Sequence, residues 1–418
     1  VTLDKEMQRL EKMQSDTVVK MPINFILNQN GNVRTNSIKN IKLVLARDPV
    51  LAHTFAYNEF THEIVVIKDV KNLHIKKGEM RDDYTAAVLG YIEEKYEVLF
   101  PQKIFELALT NEAHANSFNP VKDYLEKAYK NWDHEIRAAD FLPTFLGVAK
   151  SETTTLQTNL FFVGAVAKVY QPIFKFDYVF DLVGGQGAGK TTLLKKMANG
   201  WYTDQFTDFK DKDSYANMLR ALIVNDDEMT ASNNSDFESL KKFISAEILE
   251  FRRSYGRHSE RRPKSFVMAR TTNEVTYLKD KTGERRFLPN LVNKERQILH
   301  PVTDLDQETI DQLWGEFVSY YKAGFNFGLT KVQEKMLETN RTEFMYVDAV
   351  EEEIDQCLIT WPNDFITSAD IAIQLGEKNL IANRKLAQKI KYVMDNHPKW
   401  GRGFKKDGNI ARRGYRRK

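Results

Sequence analysis

With a single cysteine, Cys357, the chain has no partner for an internal disulfide, and its eight histidines fall into no metal-binding spacing such as HExxH. This usage fits a reducing, cytosolic compartment. Long apolar runs are scarce as well: the longest, Leu160-Phe161-Phe162-Val163-Gly164-Ala165-Val166-Ala167, stops at Lys168, well short of the roughly 20 residues that span a membrane. No membrane span is expected. Val1 to Lys20 hold Asp4, Lys5, Glu6, Glu11, Lys12 and Asp16, which argues against a signal-peptide hydrophobic region. An excess of one charge is also missing: 61 Lys and Arg stand against 58 Asp and Glu, a net +3. The total therefore neither implicates nor excludes nucleic acid, and local clustering decides. No internal repeat or low-complexity tract occurs. What is present, 418 residues that are 42% hydrophobic and 28% charged, is the composition of a globular protein of about two to four domains.

Residues 1–150 mix short apolar segments with loops, as in Ile23-Asn24-Phe25-Ile26-Leu27 before the turn-rich Asn28-Gln29-Asn30-Gly31-Asn32. Glu63 to Ile67 reads as a strand, and helices are expected from Asp82 through Ile92 and from Pro120 to near Trp132. This stretch carries no catalytic constellation and is expected to be an α+β accessory domain. From about 151 to 335 the pattern changes to a strand at Asp177–Val183, a glycine cluster, and a helix from Thr191. Further strands are expected at Leu219–Val224 and Phe266–Ala269, with helical material at Phe237–Phe251 between them, giving a three-layer α/β core. Residues 346–418 read as a small separate module. Thr367-Ser368-Ala369-Asp370 can cap a helix, Asn383–Met394 places Leu386, Ile390 and Val393 on one face, and two basic strands flank Asp407-Gly408. Helices followed by a basic hairpin describe a winged helix.

The strongest chemical signal is Gly184-Gly185-Gln186-Gly187-Ala188-Gly189-Lys190-Thr191, followed by Thr192, a full G-x-x-x-x-G-K-T match between strand and helix. Small residues let the backbone N–H groups wrap phosphates, while Lys190 supplies charge at the β- and γ-phosphates and Thr191 a hydroxyl for Mg²⁺. Leu222-Ile223-Val224-Asn225-Asp226-Asp227-Glu228 is an apolar run ending in acids. Asp227, with Asp226 as the competing ligand, would hold the Mg²⁺, and Glu228 would orient the attacking water. A third strand ends in Asn273, whose amide can hydrogen-bond both γ-phosphate and water. Arg285 or Arg286, in Gly283-Glu284-Arg285-Arg286-Phe287, can stabilise charge at the γ-phosphate of a neighbouring subunit.

The order GGQGAGKT, LIVNDDE, ARTTNE, TGERRF resembles the virulence-associated protein E (VirE) family of phage and pathogenicity-island P-loop proteins. Within that family the order is similar to that of the staphylococcal pathogenicity-island replication helicases. Asn131-Trp132-Asp133-His134-Glu135-Ile136-Arg137, Phe162–Pro172 and Gln312-Leu313-Trp314-Gly315-Glu316 are similar to that family's flanking segments, so the likeness covers roughly positions 100 to 330. The resemblance implies an AAA+ or superfamily-3-like P-loop NTPase, usually a hexameric ring, that moves along DNA in a bacterial host cytoplasm. It makes Gly184–Thr191 the Walker A loop, Asp227 and Glu228 the Walker B pair, Asn273 sensor 1, and Arg285 or Arg286 the arginine finger. The sequence departs from the family in the doubled acid Asp226-Asp227 and in Arg270, where a small residue is commoner.

Two basic clusters are candidate DNA contacts. Arg252, Arg253, Tyr255, Arg257, Arg261 and Arg262 lie where the resemblance places pore-facing elements, and suit a single strand. Arg402, Lys405, Lys406, Arg412 and Arg413 suit duplex DNA beside a winged-helix hairpin. The expectation is an ATP- and Mg²⁺-dependent replicative helicase or initiator-helicase of a mobile element. The alternatives are a P-loop ATPase that loads other replication proteins, and an origin-binding regulator. A primase in another chain is a possible partner.

Overall fold

A computed structural model describes residues 23–251, 259–278, 284–346, 349–407 and 410–418. The described residues divide into two compact units, one drawn from 23–273 and 285–336, the other from 274–284 and 337–418.

In the first unit, helix Ile38–Arg47 starts where the Ser37 hydroxyl accepts from the Asn40 N–H, and buries Ile41, Val44 and Leu45 at helical spacing. It packs with helix Gln102–Ala115 and the antiparallel strands β1 (Phe55–Asn58), β2 (Glu63–Val66) and β3 (Gly78–Glu79) around one apolar core. Helix Asp82–Tyr96 closes it.

Five strands then form a parallel sheet: β4 (Val179–Val183), β5 (Tyr202–Thr203), β6 (Ile223–Asp226), and, after a two-stranded insertion, β9 (Val267–Thr272) and β10 (Phe287–Leu291). The order across the sheet is β10-β4-β9-β6-β5, so the strand leading to the glycine loop sits beside the one ending at Asn273. Every residue of β4 is buried, as a strand covered on both faces requires. Phe180 stacks on Phe161 of helix Glu152–Tyr170, with ring centroids 4.5 Å apart. The next residue, Asp181, points to the opposite face with its neighbour Arg270, which reaches Ser232 of helix Thr230–Asn234. Helices therefore cover both faces.

The expected helix over Phe237–Phe251 ends at Ser245, because Ile248-Leu249-Glu250-Phe251 alternates exposed and buried residues with period two. These residues form β7 (Ile248–Phe251), antiparallel to β8 (Glu260–Pro263). The two segments flanking the core on the sequence also meet: the Gln312 side chain joins the Asp133 N–H and Asn131 carbonyl, and buried Glu316 accepts from the Arg137 and Ala138 N–H groups at 2.7 and 3.0 Å.

In the second unit, helices Ala349–Thr360, Ser368–Gln374 and Arg384–Asn396 pack on a three-stranded sheet of β11 (Phe365–Ile366), β12 (Trp400–Asp407) and β13 (Ile410–Arg417). Ile354, Ile366, Ile371, Ile390, Met394 and Trp400 form its core. Thr367 and Asp370 make a reciprocal capping box. The ladder runs to the Asp407–Ile410 pair, so Asp407 is strand-paired and not one of the two turn residues expected at Asp407-Gly408. Gly408 itself lies outside the described residues. Residues 274–278 join this unit through bonds from the Tyr277 and Leu278 N–H groups to the Phe344 carbonyl. Among the described residues no helix is long and apolar enough to cross a membrane.

Candidate active site

The glycine loop follows β4 and ends at helix Lys190–Met197. At Gly184 (φ +147°) and Gly189 (φ +82°) a side chain would meet the Val292 carbonyl at 2.5 Å and Pro301 at 2.9 Å, so only glycine fits. The Lys190 ammonium donates to the Gly184 and Gly185 carbonyls and to Asn273 Oδ1, at 2.6, 3.0 and 3.0 Å. Burial holds its pKa below the ordinary 10.5, opposed by the charges of Glu228 and Asp227.

Asn273 in turn points its amide Nδ2 at both Glu228 carboxylate oxygens, 3.3 Å away. Thr191 Oγ1 donates to Asp227 Oδ1 at 2.8 Å, and Thr271 Oγ1 donates to the same oxygen at 2.6 Å. The ends of β4, β6 and β9 thus bring Lys190, Thr191, Asp227, Glu228 and Asn273 into one constellation, although 83 positions separate Lys190 from Asn273.

The two neighbouring aspartates differ in surroundings. Asp227 shares its oxygen with Thr191, Thr271 and Asn225. Asp226 is 2% exposed, and its carboxylate accepts from the Ala231 N–H and from the Ser232 N–H and hydroxyl at 2.8, 2.8 and 2.6 Å. Burial raises its pKa, against the lowering by these bonds and by Arg270. Between Asp226 and helix Thr230–Asn234 the chain reverses through Glu228 (φ +53°) and Met229 (φ +51°). Two successive non-glycine residues in left-handed conformation cost of order 1–3 kcal/mol each.

Arg285 is exposed, whereas Arg286 is half-buried, with Nε donating to Ser245 Oγ at 3.1 Å and lying 3.9 Å from Asp177. Both precede β10, whose first residue pairs with the first residue of β4. They therefore lie at the end of the sheet opposite their own glycine loop. Arg252, Arg253, Tyr255 and Arg257 lie outside the described residues. Arg261 is exposed on β8, but Arg262 turns inward to Glu260 and the Thr61 carbonyl. In the second unit Lys405, Lys406, Arg412 and Arg413 are exposed on the hairpin, while Arg402 is bonded to Asp395 through two nitrogens.

Thr271, inside ARTTNE, joins the site through Asp227 although no motif marks it. The segment after β10 also lies along the glycine loop: Gln297 Nε2 donates to the Ala188 carbonyl at 2.7 Å and His300 Nε2 is 3.3 Å from the Gly187 carbonyl. No local signal marks that segment, because its role comes only from where β10 delivers the chain.

The Thr191 hydroxyl and Asp227 carboxylate are adjacent hard oxygens, a donor set that fits Mg²⁺. Among the described residues no group of three or more His, Cys, Asp or Glu could hold a metal by itself. A two-ligand site completed by phosphate and water is the usual magnesium pattern.

Residues 125–346 match the family described as the virulence-associated protein E-like domain. No curated protein matches the chain. Among solved structures, the A-form apo structure of the NrS-1 C-terminal region (305–718) is similar at 14% identity and a TM-score of 0.44, covering 87% of this chain and 96% of that one. Another apo structure of the same region has 15% identity and a TM-score of 0.40, with coverage of 87% and 96%.

Proposed function

The chain belongs to the virulence-associated protein E-like family, and from that premise we propose that it is an ATP-hydrolysing DNA motor, a replicative or initiator helicase of a phage or other mobile element. The observation that carries this reading is the single constellation of Lys190, Thr191, Asp227, Glu228 and Asn273 at three strand ends. The parallel order β10-β4-β9-β6-β5 supports an AAA+-like P-loop core, and the helices with β11–β13 support a winged-helix module.

In this reading the N–H groups of the 184–189 loop cradle the ATP phosphates, and Lys190 exchanges its loop carbonyls for β- and γ-phosphate oxygens. Thr191 and Asp227 would hold Mg²⁺, which would supply Lewis-acid neutralisation of phosphate charge. Glu228 and Asn273 orient a water in line with the γ-phosphorus. The water oxygen forms the new P–O bond as the bond to the β–γ bridging oxygen breaks, and Glu228 takes the proton. Positioning and electrostatics do most of the work in such a transfer. Arg285, exposed and remote from its own loop, would complete the site of the next subunit in a ring. The exposed Lys405, Lys406, Arg412 and Arg413 would engage backbone phosphates of duplex DNA.

ATP hydrolysis by wild type, Lys190→Ala and Glu228→Gln, with and without single-stranded DNA, tests this. Turnover stimulated by DNA is expected, with loss in both variants and nucleotide binding retained in Glu228→Gln. DNA-stimulated hydrolysis without strand displacement on a forked duplex would favour a loader. Nucleotide binding without hydrolysis would sink the motor reading.

A further inference from the structure

Arg270 stands on the strand that ends in Asn273, and it is buried between acids. Its Nε and Nη2 grip the two oxygens of Asp181 on β4, at 2.8 and 2.5 Å, and its Nη1 lies 3.4 Å from Ser232 Oγ. The guanidinium carbon sits 4.0 Å from the centre of the Phe287 ring. Asp181 on one side and Asp226 on the other are its register partners across β4, β9 and β6. Arg270, Asp181 and Asp226 are 3%, 0% and 2% exposed.

Burying such charges is a weak source of stability, because desolvation offsets their attraction. Their geometry has a clearer use. Asp226 is the last residue before the reversal through Asp227, Glu228 and Met229, and its two oxygens bond Ala231 and Ser232 on the far side. Ser232 is thus bonded to Asp226 and Arg270 together. In the middle of the reversal, the Glu228 N–H donates to Thr271 Oγ1 at 3.1 Å, on the residue next to Arg270. A left-handed backbone at a non-glycine residue persists only where its surroundings over-determine it. Here both ends and the centre of the reversal are held by groups on β6 and β9, and Asp181 locks Arg270 to the strand of the glycine loop.

We propose that Arg270, Asp181, Asp226 and Ser232 are positioning residues, a clamp that holds Glu228 in the left-handed conformation from which its carboxylate meets Asn273. The proposal rests on the hydrolytic role of Glu228. It also assigns Asp226 a place outside the metal site.

The test measures kcat and KM for ATP, nucleotide affinity and Tm in wild type, Lys190→Ala, Ser232→Ala and Ser232→Thr. Ser232→Ala removes one partly exposed hydroxyl and leaves the buried charges in place. Its kcat is expected to fall roughly tenfold to a hundredfold, since small misplacement of a catalytic group is that costly. KM and nucleotide affinity should stay within about twofold. Tm should hold, and Ser232→Thr, which keeps the hydroxyl, should recover most of the turnover. Wild-type kcat in Ser232→Ala would overturn the clamp and leave the hydrolytic reading intact. So would a joint loss of kcat, affinity and Tm that Thr does not repair. Absence of Lys190-dependent turnover in the wild type would overturn the hydrolytic reading and the clamp together.

Discussion

Lys264, next to the sheet, illustrates how far a single residue's chemistry departs from its type. Its ammonium is buried, donates to the Phe243 and Ile244 carbonyls at the end of helix Phe237–Ser245, and has its pKa pushed down to about 7, chiefly by burial and then by Lys168. The ordinary value is 10.5, so between these two values the unfolded chain binds more protons than the folded one. Stability from this residue is therefore lowest below about pH 7 and rises as pH increases toward 10.5. Lys264→Met is expected to flatten the rise in Tm between these limits, as read by thermal unfolding in a buffer series. A Tm profile as steep as the wild type's would exclude Lys264 as its source.

At the scale of elements, Glu316 joins helix Gln307–Lys322 to the start of helix Ala138–Leu146. Its Oε2 accepts two backbone N–H groups and its Oε1 accepts from Tyr320 at 2.5 Å. Removing it strands the buried Ala138 donor and the half-buried Arg137 donor, at a cost of about 1–3 kcal/mol for each donor left without a partner. Glu316→Ala should lower the free energy of urea unfolding by that order, whereas Glu316→Gln, which keeps an acceptor oxygen, should lose less. Equal losses in both variants would show that charge, not acceptance, matters. With the Gln312 bonds to Asp133 and Asn131, these contacts make the segments Asn131–Arg137 and Gln312–Glu316 two halves of one joint.

For the whole molecule, the decisive question is whether one chain suffices for catalysis. Arg285 and the glycine loop belong to opposite ends of the sheet, so under the motor reading each site needs two chains. Arg285→Ala and Lys190→Ala should each be inactive alone. Mixed in equal amounts they should regain a fraction of wild-type turnover, because an intact loop then meets an intact arginine. Specific activity of the wild type should also rise with protein concentration. Full activity of Arg285→Ala at every concentration would place the finger elsewhere.

The glycine loop, the acids after β6 and the amide after β9 were legible in sequence because their signals are local: small residues before a helix, and polar residues closing apolar runs. The capping box at Thr367 and the helix from Asn383 were legible for the same reason. The strand at Ile248–Phe251 was not, because a four-residue alternation next to a helix is too short to override helical periodicity. Which aspartate faces Thr191 could not be read either. Asp226 and Asp227 are chemically identical, and only the reversal at Glu228 turns one toward the loop and the other toward Ser232. Arg270 stood out in sequence as a misfit, yet its partners lie 89 and 38 positions away. Local order along the chain thus determined the motifs and most elements. Parallel pairing between distant strands decided what those motifs touch, because neighbours in a sheet are set by topology and not by sequence distance.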